Sequence, residues 1–222
     1  MVMAGMRRCA ALAALMAAVA SAGTALTGCA LALGGAALGG ALVVTDRRSV
    51  GMQIEDDTIE RHINRSLDDR FPGGSAYFDV TSYNRKVLLA GQVPSENDRA
   101  DAVSIASRAE NVKQVVDELT VGPVSSLGDR SDDTLLSGKV RKALLDAPGL
   151  PTGVVKVDTV AGSVYLFGRV SAAEAGSAAR AASQVSGVKR VVKLFELLSE
   201  SEVAELKRES QNAPPVESQR KP

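Results

Sequence analysis

Apolar residues recur at every fourth position over Ile59, Ile63 and Leu67, and again over Leu136, Val140 and Leu144. That spacing places them on one face of a 3.6-residue helix. The two stretches superpose at a shift of 77 residues, Asp57 to Leu67 on Thr134 to Leu144. The same shift lays Val87-Leu88-Leu89-Ala90-Gly91-Gln92-Val93 on Val164-Tyr165-Leu166-Phe167-Gly168-Arg169-Val170. After one deleted residue, Val112-Lys113-Gln114-Val115-Val116 falls on Val188-Lys189-Arg190-Val191-Val192. Self-similarity of this kind marks one supersecondary unit used twice.

Each unit predicts the same order of elements. A first helix starts at Asp57 in the first unit, where Glu60 three residues later resembles a capping box, and runs from about Asp133 to Ala147 in the second. Two strands follow, Tyr77 to Ser82 and Lys86 to Gln92, joined by a turn near Asn84. Their counterparts are Val154 to Thr159 and Ser163 to Arg169, joined through Ala161-Gly162. The alternation in Val155-Lys156-Val157-Asp158 suits a half-buried strand. A second helix starts at Ser95 or Ser171, and Ser171 with Glu174 again has the form of a capping box. Ala178, Ala179, Ala181 and Ala182 let that helix lie close to a sheet. A last strand, Val112 to Thr120 or Val188 to Leu197, completes the unit.

The expected fold class is α+β: two tandem αββαβ domains, each a three-stranded sheet with two helices on one face. The domains span 55–121 and 132–198, with a linker over 122–131. Gly91 and Gly168 sit late in the second strand of each unit and read as structural, because a strand glycine marks a bulge or a close backbone approach. The tail, 199–222, has Pro214-Pro215 and a charged, polar composition, and is expected to be disordered apart from at most one helical turn.

Composition narrows the function. Formal net charge is zero, with 26 basic and 26 acidic residues, so the electrostatic footprint of a nucleic-acid binder is missing. Aromatic residues make up 3% and Trp is absent, which leaves the core to Ala, Val, Leu and Ile. Cys9 and Cys29 are the only cysteines and His62 the only histidine, so no metal site is expected. His62 reads as a surface or packing residue on the first helix. Asp56-Asp57 and Asp132-Asp133 read as helix-start residues that favour the macrodipole, and no catalytic residue is expected. Arg47 and Arg48 either solvate a linker or touch anionic headgroups, and the first reading is preferred. No phosphate loop, dinucleotide fingerprint or nucleophile elbow occurs.

The N-terminus has a basic pair, Arg7-Arg8, then an apolar run from Cys9 to about Ala25, which is the pattern of a secretory signal. Leu26-Thr27-Gly28-Cys29 resembles the lipobox of bacterial lipoproteins. That resemblance implies a signal peptide over 1–28 and a Cys29 that carries a diacylglycerol and an N-acyl chain. Two or more acyl chains hold a protein at a membrane stably where one does not. The residue after Cys29 is Ala30 and not Asp, which favours the outer membrane. Residues 29–54 contain a Gly/Ala/Leu-rich spacer.

Lipobox, spacer and the two αββαβ units with Gly91 and Gly168 resemble the BON domain family. Thr45-Asp46-Arg47-Arg48-Ser49-Val50-Gly51 with Gln53, Lys86-Val87-Leu88-Leu89 and Val185-Ser186-Gly187-Val188-Lys189-Arg190-Val191 are similar to its two-domain envelope lipoproteins. The resemblance covers roughly residues 26 to 197. It implies a periplasm-facing outer-membrane protein that supports envelope integrity and is no enzyme. It also implies contact between anionic phospholipid and the first helix of the second domain, made through an aromatic residue that this chain replaces with Leu135. The residues expected to make that contact are Leu135, Leu136, Lys139, Val140, Arg141 and Lys142. No cofactor is expected beyond the acyl groups on Cys29, and no metal or nucleic acid. The alternative is a lipid-anchored docking or scaffold protein for outer-membrane assembly or cell-wall machinery, with an envelope protein as its partner.

Overall fold

The computed structural model describes residues 46–212. The signal segment, Cys29 and the spacer as far as residue 45 lie outside the described residues. The first domain contains α1 (Val50–Arg70), β1 (Tyr77–Tyr83), β2 (Lys86–Val93), α2 (Glu96–Arg108) and β3 (Gln114–Val121). The second contains α3 (Leu127–Leu145), β4 (Lys156–Val160), β5 (Ser163–Phe167), β6 (Arg169–Val170), α4 (Ala172–Ser183), β7 (Arg190–Lys193) and β8 (Glu196–Leu197). A further helix, α5 (Glu200–Asn212), occupies much of the tail that composition marked as disordered; Val203 on it is buried. Among the described residues, no helix is long and apolar enough to cross a membrane.

Both first helices begin earlier than the apolar period suggests. Ser49 caps α1 by accepting the Met52 N–H at 3.2 Å, and Ser126 with Asp129 forms a capping box at α3. Only Ile59, Ile63 and Leu67 lie over the sheet. The turns before them run past it, with Val50 and Ile54 exposed, so apolar periodicity does not report them. This corrects the expected starts at Asp57 and Asp133, and leaves only residues 122–126 as the connection between domains.

Asp56 and Asp133 are therefore interior helix residues, not caps. They are equivalent under the 77-residue shift and do the same work. Asp56 accepts the backbone N–H groups of Asn84 and Arg85, each at 2.8 Å, and the Ser82 hydroxyl at 2.7 Å. Asp133 accepts those of Ala161 and Gly162 at 2.7 and 2.9 Å. These are the hairpin turns β1–β2 and β4–β5, whose central residues all have positive φ, as a type I′ turn requires. The helix carboxylate satisfies the turn donors and holds Arg85 and Ala161 where side chains are disfavoured.

Each sheet has order edge, centre, edge: β1-β2-β3 and β4-β5-β7. The first two strands are antiparallel and the third runs parallel to the centre. The last strand of the second domain, expected to be continuous, breaks between Lys193 and Glu196, and β6 and β8 continue the pairing beyond the Gly168 step. One face of each sheet packs on its two helices, as expected. In the first domain that core joins Ile59, Ile63 and Leu67 to Val87, Leu89, Ala102 and Ala106. In the second it joins Leu136, Val140 and Leu144 to Val157, Leu166, Ala178 and Ala182.

Gly91 and Gly168 are demanded by backbone approach. A Cβ on Gly91 would fall onto the carbonyl oxygen of Tyr77, and φ there is +131°. A Cβ on Gly168 would lie 2.5 Å from the Val154 oxygen.

The other faces of the two sheets pack on each other. Tyr83, Leu88 and Ala90 of the first domain meet Val160, Tyr165 and Phe167 of the second, with the Tyr83 and Phe167 rings stacked at 6.1 Å. Thr81 donates to Asp158 at 2.9 Å and Lys156 to Glu60 at 3.0 Å across the same interface. Asp79 also faces Asp158, Lys156 and Glu60. Burial, and then the charge of Asp158, push the Asp79 carboxyl up to about 7. A carboxyl whose folded pKa lies above the unfolded value of about 3.9 contributes stability that is complete in acid and lost as pH rises through its folded value. The melting temperature is thus expected to fall as pH rises from about 5 to about 8. Asp79→Asn, which keeps a donor for Asp158, is expected to flatten that decline; an unchanged slope would show that the proton sits elsewhere.

Candidate functional site

Helix α3 carries the residues expected to meet lipid, and the structure sorts them into two groups. Leu136 and Val140 are buried in the core of the second domain and face the sheet. Their four-residue spacing with Leu144 makes them the helix's inward stripe, so their expected lipid contact is corrected. Leu135, by contrast, is 65% exposed, and Lys139, Arg141 and Lys142 are exposed with it. Leu127 and Leu145 are also exposed, at the two ends of the helix. They are five turns apart and share one azimuth, about 80° around the axis from Leu135. Three exposed leucines and three cations thus share the solvent side of one helix. Leu127 lies ahead of the apolar period of α3, so that period does not report it. Its signal was the Ser126-x-x-Asp129 capping box.

The cations differ in what they are free to do. Lys142 pairs with Asp146 at 2.9 Å, and the hydrogen bond and charge of Asp146 raise its pKa. Arg141 donates one guanidinium N–H to the Val157 carbonyl at 3.1 Å and forms no ion pair with another described residue. Beside Leu135 a shallow cleft of about 420 Å³ opens between α3, the β4–β5 turn and residues 186–189. Lys139 and Lys189 reach it, as do three carboxylates. Two of these are engaged: Asp133 holds the turn, and Asp129 accepts the Ser126 hydroxyl and N–H, which keep its pKa below the usual carboxylate range. An exposed apolar side chain with cations on the same side of its helix is suited to a surface whose interior is apolar and whose rim is anionic.

Arg47 and Arg48 do not solvate a linker. Their side chains are 6% and 9% exposed. Arg47 makes a bidentate pair with Glu174 at 2.6 and 2.7 Å and donates to the Arg169 carbonyl at 2.8 Å. Arg169 donates back to the Arg47 carbonyl at 3.0 Å. Arg48 bridges Asp46 and Asp56, both at 2.7 Å, and its guanidinium stacks 4.1 Å above the Tyr83 ring. The segment ahead of α1 is thus clasped to both domains. Glu174 is a capping-box residue that is also buried, and Arg47 supplies the partner that a buried charge requires. His62 is exposed on α1, and among the described residues no cluster of His, Cys, Asp or Glu is arranged to hold a metal ion.

Comparison with known proteins gives a family and several relatives. The BON domain profile matches residues 55–123 and 132–199. The outer membrane lipoprotein DolP of Haemophilus influenzae is 36% identical over 174 residues, covering 78% of this chain and 90% of that protein. The 21 kDa hemolysin of Actinobacillus pleuropneumoniae is 34% identical over 151 residues, covering 68% and 78%. Osmotically-inducible protein Y of Escherichia coli is 31% identical over 155 residues, covering 68% and 77%.

Proposed function

The chain belongs to the BON domain family, and from that premise we propose that it is an outer-membrane lipoprotein, anchored through acylated Cys29, whose second domain binds anionic phospholipid in support of envelope integrity. The observation that carries the lipid reading is the solvent face of α3, where Leu127, Leu135 and Leu145 stand exposed beside Lys139, Arg141 and Lys142. Each cation near an anionic bilayer contributes about 1 kcal/mol, and inserting one leucine adds about 1.5–3 kcal/mol. Together these give a weak, reversible contact that an acyl anchor keeps within reach. The relatives support the setting: one of them is named as an outer membrane lipoprotein.

The test uses the mature chain, residues 29–222 with Cys29→Ala, which lacks both the signal segment and the acyl anchor, and co-sedimentation with anionic and with zwitterionic vesicles. Binding is expected to anionic vesicles only and to weaken as salt screens the cations. Leu135→Glu is expected to reduce it at least tenfold, since it removes the inserting group and adds a like charge to the headgroups. Equal binding by Leu135→Glu and the parent chain would refute the role of α3. No binding to either vesicle would favour the docking alternative, with the lipid serving only as an anchor.

A further inference from the structure

The two domains are copies, so a difference between equivalent positions is informative. At the C-terminal end of α1 the first domain is plugged by aromatic rings. Phe71 is buried, and its ring lies 5.1 Å from that of Phe78. In the second domain the 77-residue shift puts Pro148 at the position of Phe71 and Val155 at that of Phe78. Both rings are gone. What remains is an apolar cleft of about 260 Å³, walled by Leu144, Leu145, Leu150, Pro151 and Val155.

The rim has changed in the same sense. Asp68 and Asn64 of the first domain become Leu145 and Arg141. An acid and an amide at the mouth have been replaced by an exposed leucine and by a guanidinium with no ion pair among the described residues. The cleft is smaller than the roughly 300–1,000 Å³ of sites that enclose a whole drug-sized ligand. It suits a segment of a flexible chain, and the cation at its mouth suits an anionic head.

We propose that this cleft takes one acyl chain of an anionic phospholipid from the bilayer that α3 meets, with Arg141 on the headgroup phosphate. The inference rests on the membrane reading of α3 and deepens it. Leu135 and Lys139 make the surface contact. The cleft, about two to three turns further along the same helix, holds a chain drawn out of the leaflet.

The experiment titrates hexyl, octyl and decyl phosphate, each below its micelle concentration, into the mature chain, residues 29–222 with Cys29→Ala, and follows backbone amide resonances. Affinity is expected to rise about fourfold per added methylene until the cleft is full, with the shifts centred on residues 141–155. Two variants restore the first domain's solution. Val155→Phe returns the ring and Leu145→Asp returns the polar mouth. Each is expected to abolish the dependence on chain length, while the melting temperature reports that the fold is kept. Affinity that ignores chain length, or variants that bind decyl phosphate as the parent does, would overturn the cleft. Vesicle binding without chain-length dependence overturns the cleft alone and leaves the membrane reading standing. Chain-length dependence without vesicle binding supports the cleft and overturns that reading.

Discussion

Arg48→Ala is expected to lower the unfolding free energy by about 3–5 kcal/mol, the usual cost of removing one partner of a buried ion pair. Asp56 is 1% exposed, and after the substitution its carboxylate keeps only hydrogen bonds from Ser82, Asn84 and Arg85. The stacking of the guanidinium on Tyr83 is lost as well. Burial pushes the Asp56 carboxyl up, but the Arg85 N–H, the Ser82 hydroxyl, Arg48 and the Asn84 N–H outweigh it and hold the pKa below the usual range. A depressed carboxylate contributes stability that is present at neutral pH and lost as pH falls through its folded value. The deficit of the variant is therefore expected to be largest near pH 7 and to shrink below about pH 4. Urea unfolding at the two pH values measures it. Arg48→Lys is expected to recover only part, because an ammonium cannot span both Asp46 and Asp56 as the planar fork does. A variant as stable as the parent at pH 7 would mean that the pair is dispensable.

Gly91→Ala is expected to cost a further-reaching loss, confined at first to the first domain. The new methyl meets the Tyr77 carbonyl oxygen, and its carbon lies 2.9 Å from the Tyr77 carbonyl carbon and 3.1 Å from the Phe78 Cα. None of these atoms belongs to a side chain that can swing away. Strain at φ +131° adds about 1–3 kcal/mol, and forcing β1 from β2 adds about as much again. Gly168→Ala makes a milder comparison, since the backbone there has no positive φ and the clash is a single oxygen at 2.5 Å. The order of stability, parent above Gly168→Ala above Gly91→Ala, is the result to look for by thermal unfolding. Amide exchange is expected to locate the Gly91→Ala damage in β1 and β2. The reverse order would place the tighter approach in the second domain.

The repeat, the αββαβ order of elements, the Ser95 and Ser171 caps and the close approach at both glycines are legible in the chain itself, because each leaves a local mark: a period, a capping pair or a missing side chain. The helix starts were harder. Val50 to Glu55 extend beyond the sheet they would have to match, so no apolar stripe announces them. The sheet-to-sheet interface also has a signal in the chain. Val87-Leu88-Leu89-Ala90 is a continuous apolar run, which is how a strand buried on both faces reads. One face of that strand meets the helices and the other meets the second sheet. The clasp of Arg47 and Arg48 was not legible, since Glu174 and Arg169 lie more than a hundred residues away and no local rule pairs them. In α3, four-residue spacing sets Leu135 apart from the core stripe, and the lipid contact expected of Leu136 and Val140 fails because both belong to that stripe.

Thr81 and Asp158, joined by a hydrogen bond across the interface, occupy the same position in the two repeats, as do Leu88 and Tyr165, and Ala90 and Phe167, which pack beside them. A contact in which each element meets its own copy is the signature of a two-fold homodimer. The chain therefore has the architecture of a dimer written into one polypeptide. An isolated unit with this face would carry an apolar strip into water and would depend on its concentration to hide it. The short Gly122–Ser126 connection removes that dependence by holding the partner at an effective concentration in the millimolar range. It also lifts the requirement that the halves stay identical. Once pairing is guaranteed by covalent linkage, one copy is free to keep its aromatic plug while the other opens a cleft.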